Sequence, residues 1–222
     1  MWVWTLNWSR VTHEIILGSC PMREDDIERI RSETGITAML SVQHDECLRQ
    51  FSIDYPAFVR HGERLGLVMR RCPIRDFDPP DMRRNLPAAV RMLAGLVAGG
   101  HRVYVHCTAG IGRGALTILG YLVFIEGRAP EEAAELIRSC RACVAPNWEA
   151  FYGCRHDLVE QYRERIAERA RKLYELRCNR LRAGAAEEDW YRAEREVLRA
   201  ALLAADVPGG ETGVFPDGGD TN

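Results

Sequence analysis

The stretch VYVHCTAGIGRGAL, residues 103–116, limits most narrowly what this chain can fold into. A short β-branched run ends at His106 and Cys107, two glycines follow at Gly110 and Gly112, and apolar residues resume after Arg113. This order predicts a buried strand, a tight loop and then a helix. Such a unit is typical of an α/β domain, and it places a cysteine where a strand gives way to a helix.

Alternating patterns extend this prediction over the first two thirds of the chain. Strands are expected at EIILG (14–18), ITAMLSV (36–42), the apolar run LGLVMRRCPI (65–74) and RVYVHC (102–107). Helices are expected from near Arg23, at about 55–65, 81–98, 113–126 and 130–141. This alternation favours a central, mostly parallel sheet flanked by helices.

The last third of the sequence changes character. From about residue 147 the pattern is helical without interruption, with one apolar stripe formed by Leu158, Tyr162, Ile166, Ala170, Leu173 and Leu176. After RAGAAEED a second stripe follows, formed by Trp190, Val197, Leu198, Ala201 and Leu202. We therefore expect a domain at 1–157, helices packed on it at 158–205, and a disordered Gly-rich acidic tail at 206–222.

The balance of charges argues against a polyanionic partner. Thirty Lys and Arg residues face thirty-two Asp and Glu residues, for a net charge of -2. No broad basic field is available for nucleic acid or an anionic membrane, so any anion recognition is expected to be local. The sequence also lacks an apolar run long enough to span a bilayer, and MWVWTLNWSR does not resemble an intact targeting peptide.

The eight cysteines are scattered through the sequence, which is typical of reduced thiols. Cys140 and Cys143 form a CxxC pair without a second pair to complete a zinc site, so no metal is expected. Two cysteines at a helix end are the simpler interpretation, and a regulatory disulfide stays open as the alternative.

The cysteine loop carries the chemistry. Backbone N–H groups that lead into a helix N-terminus form a cradle for phosphate, and their field stabilises a thiolate at Cys107. Arg113 offers a planar fork that can hold two phosphoryl oxygens. We therefore predict that Cys107 attacks phosphorus in a cradle made by Thr108, Ala109, Gly110, Ile111, Gly112 and Arg113.

A phosphocysteine mechanism also needs a general acid to protonate the leaving oxygen. The segment IRDFDPPD, residues 74–81, supplies three carboxylates, Asp76, Asp78 and Asp81. No cofactor is required.

Four segments together carry a family resemblance. They are IILGSCPMREDDIERI, RDFDPPDMRRNLPAAV, HCTAGIGR and PNWEAFYGCRHDL, and they cover about residues 8–158. The chain resembles the dual-specificity cysteine phosphatases. More narrowly, it is similar to the plant-type glucan phosphatases, which remove phosphate from starch, and to the related animal enzyme laforin.

The resemblance implies a cysteine-phosphatase fold and assigns roles to residues. Asp76 is implied as the general acid, with Asp78 as the fallback and Asp81 opening the following helix. Phe77 is implied to lie beside the substrate. Trp8 and Phe51 match aromatic positions of the family's glucan groove, although for both a core position stays open.

The resemblance also bears on substrate and location. Gly114 stands where many dual-specificity phosphatases have Ser or Thr, a departure shared by plant-type glucan phosphatases. No carbohydrate-binding module is visible. A phosphorylated glucan in a plastid is the expected setting, with the cytoplasm as the alternative location. The alternative function is a phosphoprotein phosphatase, and the oligomeric state is left open.

Overall fold

The structure of the protein is a computed structural model that describes residues 4–180 and 183–204. The tail expected at 206–222 lies outside the described residues. Five strands form one sheet in the order β1-β2-β5-β3-β4. These strands are β1 (Trp8–Arg10), β2 (Ile15–Gly18), β3 (Ala38–Gln43), β4 (Val68–Ile74) and β5 (Val103–His106).

All neighbouring strands of this sheet pair in parallel except β1, which runs antiparallel to β2 at one edge. The predicted α/β fold with a central, mostly parallel sheet is therefore confirmed. Strand β1 was not predicted from the sequence, because three residues are too few for strand alternation to show.

Helices follow the strands and cover both faces of the sheet. They are α1 (Glu24–Thr34), α2 (Asp45–Gln50), α3 (Tyr55–Arg64), α4 (Pro79–Ala98), α5 (Arg113–Phe124), α6 (Pro130–Cys140), α7 (Trp148–Gln161), α8 (Arg163–Asn179) and α9 (Ala186–Ala204). The predicted helical stretches at 55–65, 113–126 and 130–141 match α3, α5 and α6 to within a few residues.

The two sheet faces bury different cores, because successive strand residues point to opposite sides. One core contains Leu17, Leu40 and Val105 and packs against the central helices. The other contains Ile16, Met39 and Tyr104 and packs against α1 and α3. Both faces of the parallel strands are thus buried, and their carboxyl ends meet at one edge of the sheet.

Two helix boundaries differ from the prediction. Helix α4 begins at Pro79, and the Asp78 side chain caps it by accepting from the Asp81 amide at 2.9 Å. Asp78, not Asp81, therefore opens the helix, since a carboxylate before a proline in the first turn is a favourable N-cap. The predicted continuous C-terminal helix is also wrong, because it breaks at Tyr162 between α7 and α8.

The last two helices form an antiparallel hairpin. Helix α9 lies against α4, α5 and α7, and its Glu194 pairs with Arg155 of α7 at 2.6 Å. The predicted boundary at 157/158 falls inside α7. Leu176 is half exposed and does not belong to the predicted stripe. Among the described helices none has the length and apolar character needed to cross a membrane.

Candidate active site

The cysteine loop, residues 107–112, connects β5 to α5. Cys107 directly follows the strand and is 3% exposed. The neighbouring His106 ring is also buried, and its Nδ1 lies 3.1 Å from the Cys107 carbonyl oxygen. Burial, with the charge of Arg113, lowers the pKa of His106 to about 4. His106 is therefore neutral near pH 7, and its Nδ1–H donates a hydrogen bond to that carbonyl.

Gly110 is required by the shape of the cysteine loop. Its backbone has a φ of +67°, in the left-handed region that favours glycine. A Cβ at this position would lie 2.4 Å from the Gly18 carbonyl oxygen. The end of β2 and the cysteine loop can approach this closely because Gly110 has no Cβ.

The carbonyl oxygens of the cysteine loop all have partners outside it. Thr108 O accepts from the Cys20 amide at 3.0 Å, and Ile111 O accepts from the Ala145 amide at 3.0 Å. Ala109 O and Gly110 O both accept from the Arg141 guanidinium. Within residues 4–180 and 183–204, the amides of residues 108–113 donate to no protein group. The loop thus has the form of an anion cradle.

Arg113 begins α5 and lies across the cradle with 1% of its surface exposed. Its Nη1 donates to Ile74 O at 2.9 Å and to Cys47 Sγ at 3.3 Å. Its Nη2 donates to Asp76 Oδ2 at 2.6 Å. Burial opposes the charge of this guanidinium, but the Cys107 and Asp76 charges outweigh burial and raise its pKa.

The acid loop, residues 75–78, joins β4 to α4. The Asp76 carboxylate is 38% exposed and reaches the cradle through Arg113. The carboxylate of Asp78 caps α4, and that of Asp81 accepts from the Arg75 amide at 2.8 Å. Of the three carboxylates, Asp76 is the one that the structure brings beside the cysteine loop.

Phe77 stands out in the acid loop. Its side chain is 94% exposed, and its φ of +55° is a rare conformation for a bulky residue. Strained backbone of this kind concentrates at functional sites.

The other two aromatic candidates, unlike Phe77, pack against the core. Trp8 lies edge-on to Tyr104 at 6.4 Å, and the Arg29 guanidinium lies 5.6 Å from its ring centroid. Phe51 ends α2, and both Trp8 and Phe51 pack partly buried against the core on the α1 and α3 face. Their glucan-binding roles stay predictions.

Several site residues were missed by sequence reasoning. Cys47 contacts Arg113, and Gln43 donates to the Thr108 hydroxyl at 3.2 Å. Burial, together with the nearby Cys107 charge, raises the pKa of the Cys20 thiol to about 12. Burial of this kind keeps Cys20 protonated and inert. All eight cysteines of the chain are free thiols.

Two adjoining depressions flank the acid loop. The larger, about 630 Å³, is lined by His44, Arg75, Asp78, Pro80, Asp81 and Arg84. The smaller, about 390 Å³, lies between the start of α4 and α7 and shares Pro80 and Arg84 with it. Within the described part of the chain, no group of His, Cys, Asp or Glu side chains is arranged to hold a metal ion.

The chain matches a known protein family. Residues 16–154 match the dual-specificity phosphatase catalytic domain. The protein is therefore a cysteine-dependent phosphatase, the class that the fold and the cysteine loop define. Within that class the chain belongs to the dual-specificity phosphatase family.

The similar relatives confirm the narrower resemblance. The chain is 29% identical over 163 residues to phosphoglucan phosphatase DSP4 of Castanea sativa, covering 72% of this chain and 43% of the relative. It is 31% identical over 154 residues to phosphoglucan phosphatase LSF1 of Arabidopsis thaliana, covering 69% and 26%. Laforin of Mus musculus is 28% identical over 167 residues, covering 71% and 51%. The chain thus spans about half the length of these relatives, or less.

A solved structure supports the fold. The chain superposes on PTPMT1 with a TM-score of 0.55 at 22% identity, covering 74% of this chain and 99% of the other. This likeness concerns the arrangement of strands and helices.

Proposed function

We propose that this protein is a phosphoglucan phosphatase that releases phosphate from glucosyl residues through a phosphocysteine intermediate. The observation that carries the proposal is the 94% exposed Phe77 beside Asp76, at a cradle whose side chains at 108–111 are uncharged. An exposed aromatic ring suits the apolar face of a sugar. The similarity to phosphoglucan phosphatases supports the same substrate class.

In the first step the substrate phosphate binds the loop amides and Arg113. The Cys107 Sγ electron pair attacks phosphorus, and the bond between phosphorus and the glucosyl oxygen breaks. Asp76 donates its proton to that departing oxygen, which leaves as a sugar hydroxyl. Cys107 now carries the phosphoryl group.

In the second step a water oxygen attacks the same phosphorus. The Asp76 carboxylate takes a proton from the water, and the bond between sulfur and phosphorus breaks. Inorganic phosphate leaves, and Cys107 returns to the thiolate. Because Gly114 has no hydroxyl, the stabilisation of the departing thiolate falls to the loop amides and Arg113.

The pairing of Asp76 with Arg113 links substrate binding to acid catalysis. Both the Asp76 carboxylate and a substrate phosphate are ligands for the same Nη2 group. A phosphate that takes this donor releases the Asp76 carboxyl group, which is then free to meet the leaving oxygen.

Phe77→Ala tests the substrate proposal. We expect phosphate release from solubilised starch to fall about tenfold or more, while hydrolysis of p-nitrophenyl phosphate changes less than about twofold. The aryl phosphate reports on the catalytic residues alone. Tyr174→Ala, which removes a half-exposed aromatic ring on α8, is the matched control and should change neither rate. Equal losses on both substrates would contradict glucan recognition by Phe77.

A phosphoprotein phosphatase is the second candidate. Arg75 and Arg84 line the depression beside the acid loop and form no ion pair within the described residues. Such arginines suit an acidic phosphopeptide. Faster release from acidic phosphopeptides than from starch, with no competition by soluble maltooligosaccharides, would favour this candidate.

The proposed cellular location is based on the proposed substrate. Starch-type glucans and the plastid names of two relatives support location in a plastid. We further propose the division into a phosphatase domain at 1–157 and helices at 158–205, with α9 covering α4, α5 and α7.

A further inference from the structure

We propose that Arg141 and Asn7 are positioning residues that aim the amides of the cysteine loop and add positive charge beneath it. The proposal rests on the assignment of this loop as the phosphate cradle. Arg141 directly follows α6 and is buried. Its Nε donates to Gly110 O at 2.8 Å, and its Nη2 donates to Ala109 O at 2.9 Å.

These two bonds fix the direction of two amides. In a planar trans peptide the C=O and the following N–H point in opposite directions. A carbonyl of Ala109 held toward Arg141 therefore turns the Gly110 amide away from it, and the Gly110 carbonyl does the same for the Ile111 amide. Arg141 thus orients the middle of the cradle without contacting the substrate.

Asn7 orients Arg141 in turn. Its Oδ1 accepts from Arg141 Nη2 at 2.5 Å, and its Nδ2 donates to Thr5 O at 2.8 Å. The Asn7 backbone exchanges hydrogen bonds with Ser19 in both directions, at 3.0 Å each. The side-chain amide is therefore held with its oxygen toward the guanidinium, and the segment before β1 becomes part of the support of the site.

The charge of Arg141 is not matched by a carboxylate. Its partners are the carbonyl oxygens of Ala109 and Gly110 and the amide oxygen of Asn7, and no carboxylate of the described residues lies within ion-pair distance. A buried cation without a counter-charge is costly. The anion in the cradle, on the other side of two peptide groups, supplies the compensating charge.

Three variants separate geometry from charge. Arg141→Met removes both the hydrogen bonds and the charge. Arg141→Lys keeps the charge but loses the planar guanidinium. Asn7→Asp keeps the oxygen that accepts from Arg141 and supplies the guanidinium with a counter-charge. Arg138→Met is the matched control, because Arg138 lies in the last turn of α6, three residues before Arg141, exposed and paired with Glu135. The measurements are kcat and KM on p-nitrophenyl phosphate, inhibition by orthovanadate, and the melting temperature.

We expect Arg141→Met to lower kcat/KM about 10²-fold and to weaken vanadate inhibition at least about tenfold. Arg141→Lys should recover part of the vanadate affinity, and Asn7→Asp should weaken it several-fold with little change in melting temperature. Unchanged vanadate inhibition in folded Arg141→Lys and Asn7→Asp would overturn the proposal, even if Arg141→Met does not fold. Failure of the cradle assignment is recognised separately, by a Cys107→Ser protein that retains turnover.

Discussion

The cysteine loop and the acid loop meet at Arg113, yet the fold holds them very differently. Every carbonyl from Cys107 to Ile111 has a partner, and Cys107 is buried. In the acid loop Asp76 is partly exposed, and Phe77 projects into solvent from a strained backbone. In the proposed mechanism the nucleophile and the phosphate cradle are therefore set before substrate arrives, whereas the proposed acid moves into place when phosphate replaces it on Arg113.

Cys107→Ser gives the largest expected effect. Turnover of p-nitrophenyl phosphate should fall at least about 10⁴-fold, because a serine hydroxyl is a much weaker nucleophile than a cysteine sulfur. Phosphate binding should persist, since the amides and Arg113 are unchanged, and titration calorimetry with inorganic phosphate measures it. Loss of binding together with turnover would mean that the cradle is not set independently of the nucleophile.

Asp76→Ala tests the acid loop. We expect kcat to fall about 10²-fold to 10⁴-fold on an alkyl phosphate, the usual size of a general-acid contribution. The loss should be smaller on p-nitrophenyl phosphate, whose leaving group needs little protonation.

Asp78→Ala is the matched control for this experiment. It removes the N-cap of α4, which lowers stability by about 1 kcal/mol and leaves leaving-group dependence unchanged. If Asp78→Ala shows the dependence on leaving group and Asp76→Ala does not, the assignment of the acid is reversed.

The expected effect of His106 is on folding stability and not on turnover, and it concerns the cysteine-loop side of the site. Burial lowers its pKa from 6.5 to about 4, so the unfolded chain binds the proton more readily between these values. Stability conferred by the neutral ring is present above pH 6.5 and is lost as pH falls toward 4. The loss is about 3 kcal/mol between pH 7 and pH 4.

Urea unfolding at several pH values measures this effect. Because carboxylates titrate in the same range, the relevant quantity is the difference between the wild type and His106→Asn. The variant should lose less free energy of unfolding on acidification. Parallel pH profiles for the two proteins would show that His106 does not carry the effect.

The sequence predicted the parts of the site that are local. Cys107, the two glycines and Arg113 lie within seven consecutive residues, so strand, loop and helix signals report on them together. The acid loop was located by its three aspartates. The sequence could not show that Asp78 is occupied as a helix cap, since that depends on the start of α4.

The supports of the cradle could not be predicted in the same way. Arg141 is 31 residues from Gly110 and 134 residues from Asn7 along the chain. The cysteines on either side of Arg141 have a recognisable spacing, whereas the arginine itself belongs to no sequence pattern. Contacts that the fold brings together over such separations leave no periodic or local signal.

The backbone of Phe77 has a consequence for how this protein responds to selection. A left-handed residue is accommodated more easily by Asn or Gly than by a bulky aromatic, and a ring that is 94% exposed gains almost nothing from burial. Thermal stability and the proposed glucan binding therefore make opposite demands on position 77. A library selected for heat resistance alone should drift toward Asn or Gly there, and one selected on starch should keep the aromatic ring.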